Sequence, residues 1–300
     1  MKVKNVSIYK IVACLTALFI FAFSMNYYSP STRASNTTRN YKVYNASTGA
    51  YLRSYTLNAF TTTYQTRSVI GDEDSREEDY EHYGTVKIIP TDDELFGSGF
   101  VVDEHTIATA AHCLYNEVDD VFKNISEILL FNKDTSIVGD AQAELSVTPV
   151  EYHIPDLYLS SRQPINYDYA LITVEEDLSN YMVFELGAPL DSSLNMNVSV
   201  TGFPKTVKGV IVNDHTKHNM YTGNGEIINI NDFRIWYDND TIGGNSGGPV
   251  YTTYTYNDVN YYTVIAIHTT SIYDNPNANS GTRITTDQLH FYKNNPNLNW

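Results

Sequence analysis

The chain has 300 residues, 42% hydrophobic and 18% charged, with a formal net charge of −16. That is a globular composition, long enough for a large core in one large or two small domains. The charge is unevenly placed: residues 1–67 hold eight Lys or Arg and no Asp or Glu, so the rest carries 11 basic and all 35 acidic side chains, a net of −24. A body so acidic repels phosphate backbones and excludes nucleic acid as an expected partner.

The first ten residues carry Lys2, Lys4 and Lys10, and a 13-residue apolar run from Ile11 to Phe23, broken only by Thr16, follows. This is the layout of a secretory signal, too short to span a bilayer, so no stable membrane association is expected. Small residues permit cleavage after Ser24 or after Ala34, which sets a signal peptide at 1–34. Removing it takes away Cys14 and leaves Cys113 without a partner, so no internal disulfide is available. A short Lys-rich leader and a lone cysteine fit secretion by a Gram-positive bacterium. Residues 35–67 are basic, rich in Thr, Asn, Ser and Tyr, and lack a periodic apolar pattern. They read as a disordered linker or as a pro-segment held against the acidic body and removed by an activating protease that cuts after Arg67. The second reading gives a mature domain over 68–300.

From residue 83 onward, short Val-, Ile-, Thr- and Tyr-rich runs alternate with Gly, Asn, Asp and Pro clusters. Strands are predicted over 84–89, 98–102, 106–110, 127–131, 144–152, 169–174, 197–202, 225–230, 233–237, 249–256 and 261–268. Helical periodicity is confined to 286–294, where Thr285 and Gln288 have the spacing of a capping box. So many strands over so long a body predict an all-β protein of two packed six-stranded antiparallel barrels with a C-terminal helix.

Three segments carry chemistry. Thr109-Ala110-Ala111-His112-Cys113 follows a strand, Asn166-Tyr167-Asp168-Tyr169 opens one, and Gly243-Gly244-Asn245-Ser246-Gly247-Gly248-Pro249 makes a glycine-rich turn before another. A serine hydroxyl needs a base to take its proton as it attacks a carbonyl, and a neutral histidine is suited to that. A carboxylate on the other ring nitrogen fixes the tautomer and stabilises the imidazolium. Glycines around Ser246 allow a tight turn that aims the Gly244 and Ser246 amides at a developing oxyanion. The order is His112, Asp168, Ser246, and the gaps of 56 and 78 residues are long enough to put the first two in one barrel and the serine in the other.

TAAHC at 109–113 and GNSGGP at 244–249 resemble chymotrypsin-fold serine endopeptidases. Further segments are similar to the secreted bacterial glutamyl endopeptidases: RSVIG at 67–71, NYDYALI at 166–172, VTGFP at 200–204, AIHTT at 266–270 and GTRIT at 281–285. The resemblance implies peptide or protein substrates, an acyl-enzyme, no metal or organic cofactor, and a monomer. It also implies a primary pocket in which Thr241 and His268 receive a Glu side chain, helped after processing by the α-amino group of Ser68, or of Val69 if the cut falls one residue later. A hydroxyl and an imidazole that can donate or become cationic suit a carboxylate. Asn245 stands where trypsin-like zymogens carry an Asp that binds the new N-terminus, leaving that amine free for another use. Against this, Asp240 lies six positions before Ser246, the offset at which trypsin-like enzymes select Arg or Lys; it is read as facing away. Cleavage after Arg or Lys, or a catalytically silent binding protein or adhesin, are the alternatives. Cys113 is read as a packing residue, and the acidic run Asp72, Glu73, Asp74, Glu77, Glu78, Asp79 and Glu81 as a solvated face, with loose Ca²⁺ binding as its alternative.

Overall fold

The computed structural model describes residues 37–59, 70, 73–91, 96–116, 119–131, 143, 145–161, 164–269, 278–286 and 288–289. The predicted signal segment, Arg67 and Ser68 lie outside them, as does most of the predicted 286–294 helix. Its start is described: Thr285 N donates to Gln288 Oε1 (2.6 Å) and Gln288 N to Thr285 Oγ1 (3.3 Å), so the two side chains form the reciprocal cap.

The β-rich runs segregate into two sheets. In the first, Leu145–Val147, Ile125–Leu130, Thr85–Pro90, Gly97–Asp103, Thr106–Thr109, Ala170–Val174 and Pro149–Pro155 follow one another in space. The predicted 144–152 strand is thus two strands meeting at Thr148, each pairing at an opposite end of this order. That change of partner closes a ring of six. In the second, Val259–His268, Pro249–Tyr256, Asn197–Gly202, Tyr221–Ile230, Arg234–Tyr237 and Asn279–Arg283 are successive neighbours, and the last pairs back to the first. Its hairpin at Asn257-Asp258 has both residues at positive φ (50° and 59°), the left-handed geometry that two-residue hairpin turns require. Asn279–Arg283 was not predicted, because its small polar sequence NSGTR gives no strand signal.

Each ring has its own apolar filling. Val86, Ile88, Val101, Ile107, Ile128, Leu130 and Ile172 fill the first; Val198, Val200, Ile227, Ile235, Val250 and Ile265 fill the second. Phe100, Tyr169, Leu171, Phe184, Tyr251, Val264 and Ile267 form a third cluster drawing on both rings. Burying one such side chain is worth about 1.5–3 kcal/mol, so the shared cluster ties the rings together strongly. Gly97–Asp103 is buried on both faces up to Val102, which is why it lacks polar alternation.

Two readings change. Residues 37–59 are not a disordered linker: Thr37–Asn45 and Tyr51–Ala59 form a hairpin that adds two strands to the first sheet beside Pro149–Pro155, the docking expected of a segment held against the body. The acidic run is only partly a solvated face. Asp79 is buried, bonded to His82 Nδ1 (2.6 Å) and to the Thr222 hydroxyl, and Asp74 pairs with the buried Arg76 (2.6 Å). Carboxylates with such partners serve the fold rather than face water.

Candidate active site

Strand pairing, not sequence proximity, brings His112 and Asp168 together. Thr106–Thr109 pairs with Ala170–Val174 so that Ala170 stands opposite Thr109. The chain then leaves the first strand through a 3-10 turn, Ala111–Cys113, and enters the second from another, Pro164–Tyr167. Ala110 and Ala111 are fully buried, and a larger side chain would push the His112 turn outward. Asp168, 3% exposed, takes two hydrogen bonds from His112: from Nδ1 to Oδ2 (2.7 Å) and from the backbone amide to Oδ1 (3.0 Å). Burial opposes a charge on His112, yet the Asp168 carboxylate outweighs it and holds the imidazole pKa well above 6.5.

Ser246 sits in a turn built by glycines. Gly244 has φ +104° and Gly247 φ +87°; a Cβ would lie 2.2 Å from the Phe203 carbonyl at the first and 2.0 Å from the Ser98 carbonyl at the second. Only glycine fits either place. The first ring cradles this turn: Ser98 N donates to the Ser246 carbonyl (2.7 Å) and Ser98 Oγ to the Gly244 carbonyl (2.7 Å). The buried Cys113 thiol also donates to the Ser246 carbonyl (3.3 Å) and lies 3.9 Å from His112 Nε2. Cys113 therefore packs between the two segments. The Ser246 hydroxyl itself donates to the Thr269 carbonyl (2.9 Å).

His268 is joined to this turn by backbone bonds, Gly247 N to its carbonyl (2.7 Å) and its own N to the Gly248 carbonyl (2.9 Å). Its ring is 3% exposed and lies 2.6 Å from the Tyr237 hydroxyl through Nδ1. Burial, with the positive charges of His112 and Arg234, lowers its pKa to about 3, so it stays neutral. Of the two expected modes, donating as a neutral ring or becoming cationic, this burial favours the first. Thr241 is buried three residues before Gly244, in a stretch pinned by Asn239 Nδ2 on the Val198 and Gly223 carbonyls (2.8 Å each). Asp240 points to the incoming chain: it accepts from Ile70 N (2.8 Å), Ser75 N (2.7 Å) and Ser75 Oγ (2.7 Å). Ser68 lies outside the described residues.

One residue escaped the sequence reading. Arg234 is fully buried and has no carboxylate partner among the described residues. It donates to the Ile165 carbonyl (2.8 Å), the Thr269 hydroxyl (2.8 Å) and the Ser280 hydroxyl. Its cross-strand neighbour Thr282 donates to the Asp168 carbonyl (3.0 Å). An arginine inside the apolar run FRIWY was the available signal, since a cation there needs a reason.

Two packed six-stranded rings, with His112 and Asp168 on one and a serine in a glycine turn on the other, define a serine endopeptidase of the chymotrypsin fold. The chain belongs to the trypsin-like peptidase domain family, which matches residues 97–256, more than half of its length. It is 27% identical over 238 residues to a glutamyl endopeptidase of Bacillus licheniformis, covering 77% of this chain and 71% of that one. It is also 27% identical over 235 residues to a protein of Bacillus subtilis named extracellular metalloprotease, covering 75% and 68%. The fold is similar to that in a structure of a Glu endopeptidase in complex with MPD, at TM-score 0.59 and 19% identity over 74% of this chain and 96% of that one. No helix among the described residues is long and apolar enough to cross a membrane.

Proposed function

We propose that this endopeptidase is secreted, is matured by a cut after Arg67, and cleaves peptide bonds after Glu and, less well, after Asp. The bidentate grip of Asp168 on His112, opposite the Ser246 turn, supports the roles that follow. The Ser246 hydroxyl leaves the Thr269 carbonyl and attacks the scissile carbonyl carbon while its proton passes to His112 Nε2. The N–H groups of Gly244 and Ser246 hold the oxyanion, each such donor being worth about 3 kcal/mol in the transition state. His112 gives the proton to the leaving amine, and an acyl group remains on Ser246. Water, deprotonated by His112, then releases the acid.

The Glu preference rests on two features of the pocket. Neutral His268 and the hydroxyl of Thr241 are hydrogen-bond donors suited to a carboxylate, and Asp240 is already occupied by the 70–75 segment. The resemblance to glutamyl enzymes points the same way. The test is cleavage by processed protein of peptides differing only in the residue before the scissile bond, with Ser246→Ala as the inactive control. Strong cutting after Glu, weaker after Asp and none after Arg or Lys is expected. Cutting after Arg or Lys would refute the carboxylate pocket, and undiminished activity in Ser246→Ala would refute the nucleophile.

A further inference from the structure

We infer that the basic hairpin of residues 37–59 is a strand-donating part of the working enzyme, which stays bound on the Pro149–Pro155 edge after the chain is cut at Arg67. This rests on the proposed maturation cut and goes beyond it: the severed segment is retained, not discarded.

The hairpin is docked as a core element. Tyr41 to Asn45 pair antiparallel with Pro155 to Glu151, one partner per residue. Val43 is fully buried and Tyr41 is 1% exposed. Tyr41 stacks on Tyr55 with ring centroids 5.3 Å apart, and its hydroxyl lies 2.7 Å from that of Tyr169. Tyr169 is fully buried, follows Asp168 directly, and shares an apolar cluster with Tyr41, Leu171, Cys113 and Ile267. Removing the hairpin would leave a ring-sized void there and strip the Tyr169 hydroxyl of this partner, and both changes are costly in a packed interior. It would also bare the backbone donors and acceptors of Pro149–Pro155, an open sheet edge that invites wrong pairing.

Charge fits the same reading. Residues 37–59 hold Arg39, Lys42 and Arg53 and no acid. Arg53 forms a two-pronged pair with Glu151 (2.7 and 2.8 Å), and Lys42 meets Asp156 at 2.6 Å. Fork-to-fork arginine pairs give orientation as well as strength. The turn is pre-formed by Asn45, whose Oδ1 accepts from Thr48 N (2.9 Å) and Thr48 Oγ1 (2.8 Å). A two-stranded hairpin is marginal by itself in water, so this one keeps its form by staying docked.

The experiment uses the 35–300 chain, wild type and Ser246→Ala, each with a recognition site for a site-specific protease placed between Thr66 and Arg67. After cutting, gel filtration with intact-mass analysis reports whether the hairpin peptide travels with the body. One peptide per body is expected. The double variant Tyr41→Ser with Val43→Ser should release the peptide on cutting and lower Tm by roughly 10 °C. The charge-reversed Lys42→Glu with Arg53→Glu, which spares the core, should also release it. A peptide that elutes alone from the cut wild-type chain, leaving a body of unchanged Tm and activity, would overturn the inference. N-terminal sequencing of naturally processed enzyme separates the two readings: a start other than Ser68 defeats the maturation site, while the engineered cut still tests retention.

Discussion

Replacing Arg234 by Met is expected to damage turnover far more than folding. The guanidinium ties the Ile165 carbonyl, just before Asp168, to the Thr269 hydroxyl and to Ser280, which are themselves joined by Thr269 N donating to the Ser280 carbonyl (3.3 Å). Losing three charged hydrogen bonds costs about 1.5–3 kcal/mol each. Against this, the variant no longer buries a cation whose nearest counter-charge, Asp168, acts without a direct hydrogen bond, which relieves several kcal/mol. The terms nearly offset, so stability should stay within about 2 kcal/mol of wild type. Geometry has no such compensation. Thr269 carries the carbonyl now holding the Ser246 hydroxyl, and Ile165 fixes the approach of Asp168; a shift near 1 Å between them costs about a hundredfold in rate. kcat should therefore fall roughly 100-fold with KM changed less than about threefold. Arg234→Lys keeps the charge but not the fork and should recover about a tenth of wild-type kcat. The measurement is steady-state kinetics on a Glu peptide, with active sites counted by a sulfonyl fluoride and Tm recorded for each variant. A normally folded Arg234→Met enzyme with kcat within twofold of wild type would refute the reasoning.

Further consequences concern protons and the glycine turn. In the proposed mechanism His112 must be neutral to accept the Ser246 proton, and its pKa lies well above 6.5, so kcat/KM should rise with pH and reach half its plateau above pH 6.5. In Asp168→Asn the carboxylate that raises this pKa is gone, and the half-point should move to lower pH while kcat drops by about 10⁴. Burial pushes the Tyr237 hydroxyl well above its usual pKa of 10, so it remains a neutral donor to His268 Nδ1 and, in the proposed pocket, leaves Nε2–H for a substrate carboxylate. Tyr237→Phe should lower the Glu-over-Gln preference about tenfold, read as a ratio of kcat/KM values, with Gln cleavage little changed. Gly244→Ala forces a Cβ against the Phe203 carbonyl and should cost activity and stability together, seen as lower Tm and lost peptide cleavage.

Much of this architecture was legible because its signals are local. Pro249–Tyr256 and Asn197–Gly202 match their predicted bounds, since alternation and flanking turn residues define both ends. The His112, Asp168 and Ser246 segments stood out by chemical type and order, and the structure joins the first two directly. What stayed hidden depends on partners distant in sequence. Thr37–Asn45 and Tyr51–Ala59 have few aliphatic residues and become strands only because Pro149–Pro155 offers an edge and Tyr169 receives Tyr41. Asn279–Arg283 is held between two strong strands and needs little propensity of its own. Burial of Asp79 depends on Thr222 and His82 converging on it, and only the tertiary structure shows that.

Whether the proposed pocket accepts acids or bases turns on where Asp240 faces, and the structure engages it with the entering chain. Its two oxygens take three bonds from Ile70 and Ser75, and the residue is 3% exposed. A carboxylate so engaged fastens Ile70 and Ser75 to the stretch six residues before Ser246. Asp240→Asn keeps the shape but replaces one acceptor oxygen by an NH₂ group, which faces a donor. At least one of the three bonds must fail, costing about 1–3 kcal/mol and lowering Tm by roughly 3–10 °C. If Asp240 only anchors the chain, the Glu-over-Gln ratio of this variant should stay within about threefold of wild type, and no activity on Lys or Arg peptides should be present to lose. If it instead faced a bound substrate, removing its charge would raise Glu cleavage about tenfold or more, because a repelling neighbour in a low-dielectric site would have gone. Thermal melts together with paired Glu, Gln and Lys peptides separate these cases. An unchanged Tm with a large gain on Glu would show that the acid belongs to the pocket after all.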